Sequence, residues 1–322
     1  MALRDVVKGA VTFIPGSEHF EFQQPKRTRA AADARYCYGV WLKHLSIAWK
    51  HGLNRIPDTV AELGPGDSLG VGISALLSGA NTYDAFDVVA LANVKNNLTV
   101  LDELIELFRA RAPRPTKGWP DFDDCLDERL FPSSILTEAL LRETLTESRL
   151  HKIREALENV GQSTNGICVR YFTQWEATRD IGAQSVDLIL SHSVLQHAAD
   201  LRSTYAALYA WLRGGGFMSH QIDLRSMGLS RIWNGHRMYP KWMWNILLGA
   251  PATRSQRHWL INGEPRSMHL ASIRDCGLNI VCTLENHRED GIHRSQLSQA
   301  WRHLSDEDLT CSGLFVLAKR QS

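Results

Sequence analysis

Thr59 to Gly72 reads TVAELGPGDSLGVG, a short apolar strand that ends at Glu62 and opens straight into glycines. A strand that stops in glycine and restarts as a helix marks a ligand-binding turn, because backbone N–H groups at the new helix end are free to face a ligand. Gly64 and Gly66 let the backbone approach that ligand with no Cβ between them, and Gly70 and Gly72 let the following helix pack close to the sheet. VGISALLSGA continues as a helix with Ile73, Leu76 and Leu77 apolar and Gly79 as its stop. TYDAFDVV is then a second strand. Strand, glycine turn, helix and strand form a βαβ unit, which is right-handed and builds a parallel sheet. Asp87 falls close to the position, about 20 residues beyond the turn, where an acidic residue meets a ribose in nucleotide-binding units. Asp84, in the same strand, is its rival.

Downstream, residues 91–165 exceed what a βαβ unit needs. They hold a helix over Leu98–Arg111, a break at Pro113, Pro115 and Pro120, and an acidic run with Asp121, Asp123, Asp124, Asp127 and Glu128. A second helical stretch follows over Ser134–Val160. The acidic run lacks the glycine and terminal glutamate of a calcium loop and reads as solvated. A strand over Ile167–Phe172 leads to Gln174, Trp175 and Glu176. Val186–Leu190 has the continuous apolar character of a buried strand, which leaves Ser191 and His192 where it exits the sheet. A helix with Leu201, Tyr205, Leu208 and Leu212 on one face breaks at Gly214–Gly216 and enters a strand over Phe217–Ile222. Residues 225–266 form a second, tryptophan-rich insertion around His236, and a helix, a strand and a final strand close the chain.

Upstream, Tyr36 to His51 has so wide an apolar surface that it predicts a mostly buried helix whose aromatics pack in the core, with closure of a pocket before the glycine turn by Tyr36, Tyr38 or Trp41 as the alternative. The whole reads as one domain over 1–322, with an N-terminal helical segment 1–58 and insertions 91–165 and 225–266. The 322 residues are 44% hydrophobic and 22% charged, the composition of an ordinary globular protein. The net charge of +1 gives no global field for nucleic acid or an anionic membrane. The local cluster Lys26, Arg27 and Arg29 reads as a solvated surface. Six scattered cysteines without a CxxC pair suit a reducing compartment, and the broken apolar run at the N-terminus makes a poor signal peptide, so a cytoplasmic location is expected.

Assembled, these stretches resemble the class I S-adenosylmethionine-dependent methyltransferases. ELGPG, Glu62 to Gly66, is similar to that family's first motif, and the run from Asp187 through SHSVLQHAADL to LRGGGF is similar to its later ones. RYCYGVWLKHL, ELGPGDSLG and GGFMSHQIDL together resemble bacterial methyltransferases of polysaccharide and sugar biosynthesis. The resemblance implies a Rossmann-like, doubly wound α/β fold: a seven-stranded, mostly parallel sheet with an antiparallel last strand. It also implies S-adenosylmethionine as cofactor, with Glu62, Gly64, Pro65, Gly66, Ser68, Asp87, Trp175 and Ser191 around it. Where an acidic or Asn residue is common after the third strand to meet the adenine, this chain offers Gln174, Trp175 and Glu176. The N/D-P-P-Y motif of many amino-group methyltransferases is replaced by Ser191 and His192, which argues against base and glutamine N-methylation.

Methyl transfer to a hydroxyl needs a base, and histidine is the usual one near neutral pH. His220 and His192 lead, with Asp223 to orient a histidine or bind a substrate hydroxyl and His236 as a third candidate. No metal-ligand pattern or nucleophilic triad is apparent. The expected activity is O-methylation of a small-molecule acceptor, a sugar hydroxyl first and an aromatic or natural product second. A nicotinamide-dependent oxidoreductase is the rival from another class, set back by Leu69 in place of a third glycine. A binding protein that keeps the cofactor and has lost transfer is the other.

Overall fold

A computed structural model describes residues 3–14, 33–115, 131–173, 181–250 and 261–322. In chain order its elements are α1 (Leu3–Val11), α2 (Ala34–Lys50), β1 (Thr59–Leu63), α3 (Gly70–Leu77), β2 (Thr82–Asp87), α4 (Val94–Arg109), α5 (Glu138–Thr144), α6 (Glu147–Glu158), β3 (Ser163–Thr164), β4 (Ile167–Thr173), β5 (Val186–His192), α7 (Leu201–Trp211), β6 (Leu212–Asp223), α8 (Lys241–Leu248), α9 (Arg266–Asp275), β7 (Asn279–His287), α10 (Asp306–Thr310) and β8 (Cys311–Lys319). The strands form one sheet in the order β3-β4-β2-β1-β5-β6-β8-β7. Strands β4, β2, β1, β5 and β6 are parallel, and β8 enters antiparallel between β6 and β7. The seven-stranded doubly wound sheet with an antiparallel last strand is therefore present, and the two-residue β3 adds an antiparallel pair at its edge. Strand order reverses between β1 and β5, the switch point at which open α/β sheets leave a crevice beyond their carboxyl ends.

The period-2 alternation of each strand divides the core in two. Val60, Tyr83, Ala85, Leu188, Leu190, Phe217 and Phe315 face α2, α3, α4 and α6. Ala61, Leu63, Phe86, Ile189, Met218, Ile222 and Leu314 face α7 and α9. Strand parity thus decides which side chains share a compartment. Asp187, buried near the start of β5, joins strands from one end: it accepts the backbone N–H of Asp58 and Thr59 at 3.0 and 2.9 Å and pairs with Arg55 and Arg213.

Helix α2 begins two residues earlier than its apolar pattern indicates, because the Asp33 carboxylate accepts the Arg35 N–H at 2.9 Å and opens the helix there. Its narrow polar stripe of Gly39, Lys43, Ser46 and Lys50 is buried as far as Ser46, with Lys43 3% and Ser46 2% exposed, and Lys50 at its end is exposed. Residues 112–115 lie across that stripe: Tyr38 donates to the Ala112 carbonyl at 2.8 Å, and a Cβ on Gly39 would sit 3.0 Å from Pro115. The stretch 134–160 is two helices, since Thr146 accepts the Arg149 N–H and caps α6 separately. The glycines Gly214–Gly216, expected to precede a strand, lie inside β6. They loop out between Leu212, opposite Val186, and Phe217, opposite Leu188. The acidic run at 121–128, the basic cluster at 26–29 and Trp259 lie outside the described residues. The described cysteines are all free thiols, and no helix among the described residues is long and apolar enough to cross a membrane.

Candidate active site at the carboxyl ends of the central strands

The glycine turn is built as a braced cradle. Gly64 and Gly66 have φ of +67° and +75°, a conformation that suits glycine alone without strain. Gly64 has a second reason to lack a side chain, because a Cβ would lie 2.4 Å from Val194 beyond β5. Pro65 between them is buried. The Leu69 N–H is accepted by the Asn97 side chain of α4 at 2.9 Å, and Ser68 Oγ accepts the Gly70 N–H at 3.2 Å. Close packing of α3 is real: a Cβ on Gly70 would meet Cys37 Sγ at 2.5 Å, and one on Gly72 would meet the Tyr83 ring at 2.0 Å.

Glu62 is 3% exposed and accepts a hydrogen bond from Tyr83 Oη at 2.5 Å. Burial pushes its carboxyl up to about 8, the Tyr83 bond offsets part of this, and the neighbouring Asp87 charge adds to it. A cationic group brought to this cradle would favour the ionised form again. Asp87, at the end of β2, reaches back across the turn and accepts the Gly66 N–H at 3.4 Å and the Val88 N–H at 2.8 Å. Asp84 is on the opposite face, fully buried in a bidentate pair with Arg170 at 2.6 and 2.7 Å. Of the two rival acids, Asp87 is the one beside the glycine turn.

The predicted catalytic groups do not gather in one crevice. His192, half-buried as the last residue of β5, faces α2: its Nδ1 is 3.5 Å from His44 Nε2, and the Tyr36 ring stands edge-on with its centroid 6.0 Å away. Burial and the Lys43 ammonium push His192 down to about 3, so its imidazole is neutral at physiological pH. His220 is fully buried on the other face, with Nδ1 2.7 Å from Ser191 Oγ and its ring against Tyr205. Burial, with His269 nearby, pushes it to about 3 as well. Ser191 is accordingly a partner of His220. Asp223 is held by a bidentate pair with Arg225 at 2.8 and 2.6 Å. His236 is 1% exposed, edge-on to Trp244 in the tryptophan-rich segment, and burial with the Arg237 charge drives it well below its usual value. Trp175 lies outside the described residues.

Three further residues complete the arrangement. Tyr83 and Asn97 brace Glu62 and the glycine turn, and His44 stands behind His192. His44 had a visible signal, a histidine in the middle of an almost wholly apolar helix. Of Tyr36, Tyr38 and Trp41, Tyr36 is the one beside His192, since Trp41 donates to Ser78 Oγ at 2.8 Å inside the core and Tyr38 is tied to Ala112. Among the described residues Glu285, His287 and Cys311 also come within 4.8 Å of one another at the far edge of the sheet, but Arg266 already sits 2.6 Å from the Glu285 carboxylate.

No protein-family model matches the chain, and no curated protein matches its sequence. Solved structures do superpose on it loosely. A protein described as a sarcosine dimethylglycine methyltransferase from Galdieria sulphuraria is 13% identical, with 88% of this chain and 85% of that chain covered and a TM-score of 0.43. An S-adenosylmethionine-dependent methyltransferase from Mesorhizobium loti is 15% identical over 89% and 98% of the two chains, with a TM-score of 0.40. One from Methanosarcina mazei is 10% identical over 85% and 97%, with a TM-score of 0.42. At this distance the strand order, with β8 antiparallel between β6 and β7, carries the assignment of the chain to the Rossmann-like, doubly wound α/β folds.

Proposed function

We propose that this chain is an S-adenosylmethionine-dependent methyltransferase that methylates a hydroxyl group, with a sugar as the acceptor. The observation that carries the reading is the cradle formed by buried Glu62, the positive-φ glycines and Asp87 beside Gly66, with the neutral imidazole of His192 at the end of the strand next to β1. The residues present fit the cofactor. Glu62 is a buried acid with no cation beside it among the described residues, which suits the amino group of a methionine moiety. Asp87, at a strand end, suits ribose hydroxyls. Bound here, S-adenosylmethionine supplies an electrophilic methyl carbon on sulfur. His192 takes the acceptor's hydroxyl proton, and Tyr36 and the end of α2 keep water from that side.

The sugar reading rests on the resemblance of RYCYGVWLKHL, ELGPGDSLG and GGFMSHQIDL and on the residues around His192. An aromatic acceptor is the second reading: Trp233 and Trp244 are 8% and 6% exposed and have little ring free to stack on a substrate, whereas Trp242 in the same segment is 62% exposed. Calorimetric titration with S-adenosylhomocysteine and with NAD separates the two cofactor classes. Binding of S-adenosylhomocysteine alone is expected, and binding of NAD alone overturns the reading. Transfer of labelled methyl to a panel of sugars and nucleotide sugars then tests the acceptor, and His192→Ala is expected to keep donor affinity and lose at least roughly 100-fold in turnover, the usual scale of a lost general base.

A further inference from the structure

Behind His192 the structure places a second histidine that the reaction as described leaves unused. His44 of α2 is fully buried, its Nδ1 is 2.7 Å from Ser219 Oγ on β6, and its Nε2 is 3.5 Å from His192 Nδ1. The two rings meet edge to face with centroids 5.7 Å apart, and Phe315 of β8 lies against His44 at 5.5 Å. The His192 Nε2 makes no hydrogen bond within the described residues. Ser219, His44 and His192 therefore form one line of side chains, with His192 Nε2 as its last nitrogen.

Building on the reading of His192 as the base, we infer that His44 and Ser219 are positioning residues that hold the proton of neutral His192 on Nδ1 and leave Nε2 unprotonated toward the acceptor. The heavy atoms allow two proton arrangements, because a hydroxyl can donate or accept. In the first, His44 Nδ1–H donates to Ser219 and His44 Nε2 accepts from His192 Nδ1–H. In the second, Ser219 donates to His44 Nδ1, His44 Nε2–H donates to His192 Nδ1, and His192 Nε2 carries the proton and cannot serve as a base. A neutral histidine left alone prefers the Nε2–H form, so a base working through Nε2 needs an acceptor fixed at Nδ1. His44 is the acceptor in reach. Its own rotation is blocked by Phe315 and the Ser219 contact, and the 3.5 Å gap is of the kind that tightens when a substrate closes the site.

The charged and titratable groups near the pair are Lys43 and Tyr36 from α2 and His220 from β6. Lys43 disfavours a second positive charge, which keeps the resting pair neutral. During transfer the acceptor O–H proton moves to Nε2, the O–CH3 bond forms, and the S–CH3 bond breaks with its electron pair remaining on sulfur. The proton later leaves Nε2 for solvent.

The test is the 15N spectrum of the histidine side chains at pH 7.5 without donor or acceptor, with His192 assigned from the His192→Gln variant. An Nδ1–H tautomer at His192 in the wild type, converted to Nε2–H in His44→Leu and kept in His44→Gln, is expected, since the amide oxygen of glutamine can also accept from Nδ1. An Nε2–H tautomer in the wild type, or no change in His44→Leu, overturns the proposal. Turnover follows the tautomer: a loss of roughly 100-fold in His44→Leu with donor affinity unchanged, and recovery of most of it in His44→Gln. Where His44→Leu does not fold, Ser219→Ala is read instead, and an unchanged His192 spectrum there counts against the proposal. Failure of S-adenosylhomocysteine to bind overturns the methyltransferase reading and leaves the spectrum to decide the tautomer.

Discussion

Two aspartates three residues apart on β2 meet opposite fates, and the pleat decides which does what. Asp87 shares the Glu62 face and lies beside Gly66, whereas Asp84 faces the other side and binds Arg170. Asp87→Ala is expected to weaken S-adenosylhomocysteine binding by roughly 10- to 100-fold, the scale of losing a hydrogen bond to a charged group, with little change in melting temperature. Asp84→Ala should do the reverse, costing about 1–2 kcal/mol of stability, since Arg170 is partly exposed and water takes up some of its charge. Calorimetry and thermal melts on the pair of variants check both outcomes. Spacing alone brought both acids to the right strand end. It could not choose between them, because a one-residue difference in where a strand starts reverses every side chain. The same ambiguity left His220 and His192 as equal candidates for the base, although Ser191–His220 and His192–His44 lie on opposite sides of the sheet.

Among the elements, the central helices and strands were legible because their patterns are local: the apolar run of β5, the glycine stop of α3 and the wide apolar surface of α2. What covers the polar stripe of α2 was not, since residues 112–115 arrive from about 70 positions away. Glycines carry the tightest packing, and Gly72 is the clearest case, with Tyr83 Cζ 2.0 Å from where a Cβ would stand. Gly72→Ala is expected to cost about 1–3 kcal/mol through overpacking and to push Tyr83 off Glu62. Urea unfolding reads the first effect. Removal of the Tyr83 hydroxyl alone, in Tyr83→Phe, should raise the Glu62 pKa further, because that bond favours the carboxylate form, and 13C titration of the carboxyl measures the shift.

For the whole molecule, the count of buried histidines matters more than any one of them. His44, His220, His236 and His269 are at most 1% exposed, and burial lowers the pKa of each. A group lowered in this way contributes stability that is present above the unfolded value near 6.5 and is lost as pH falls toward the folded value, about 3 for His220 and His269. Each such histidine therefore tilts unfolding by about 1.4 kcal/mol per pH unit below roughly 6.5. Glu62 acts in the opposite sense: its contribution is present below about 4.5 and is lost as pH rises through about 8. The expected result is a urea midpoint that drops steeply from pH 6.5 to pH 5, with a shallower slope in His269→Gln, and a midpoint independent of pH in this window sinks the idea. Composition lists these histidines but not their depth, which depends on strand pairings made across the full chain. The looped-out glycines of β6 also act on this scale. Arg213 to Gly216 bulge away from β5 at the end of β6 remote from the crevice, Gly215 and Gly216 are hydrogen-bonded to the Arg320 backbone beyond β8, and regular pairing with β5 resumes at Phe217. Length gained or lost in that loop is absorbed before Ser219 and His220 are reached. A foreign peptide spliced between Gly214 and Gly215 would therefore leave the register of the working end untouched, which makes this joint the natural port for a reporter or a tether.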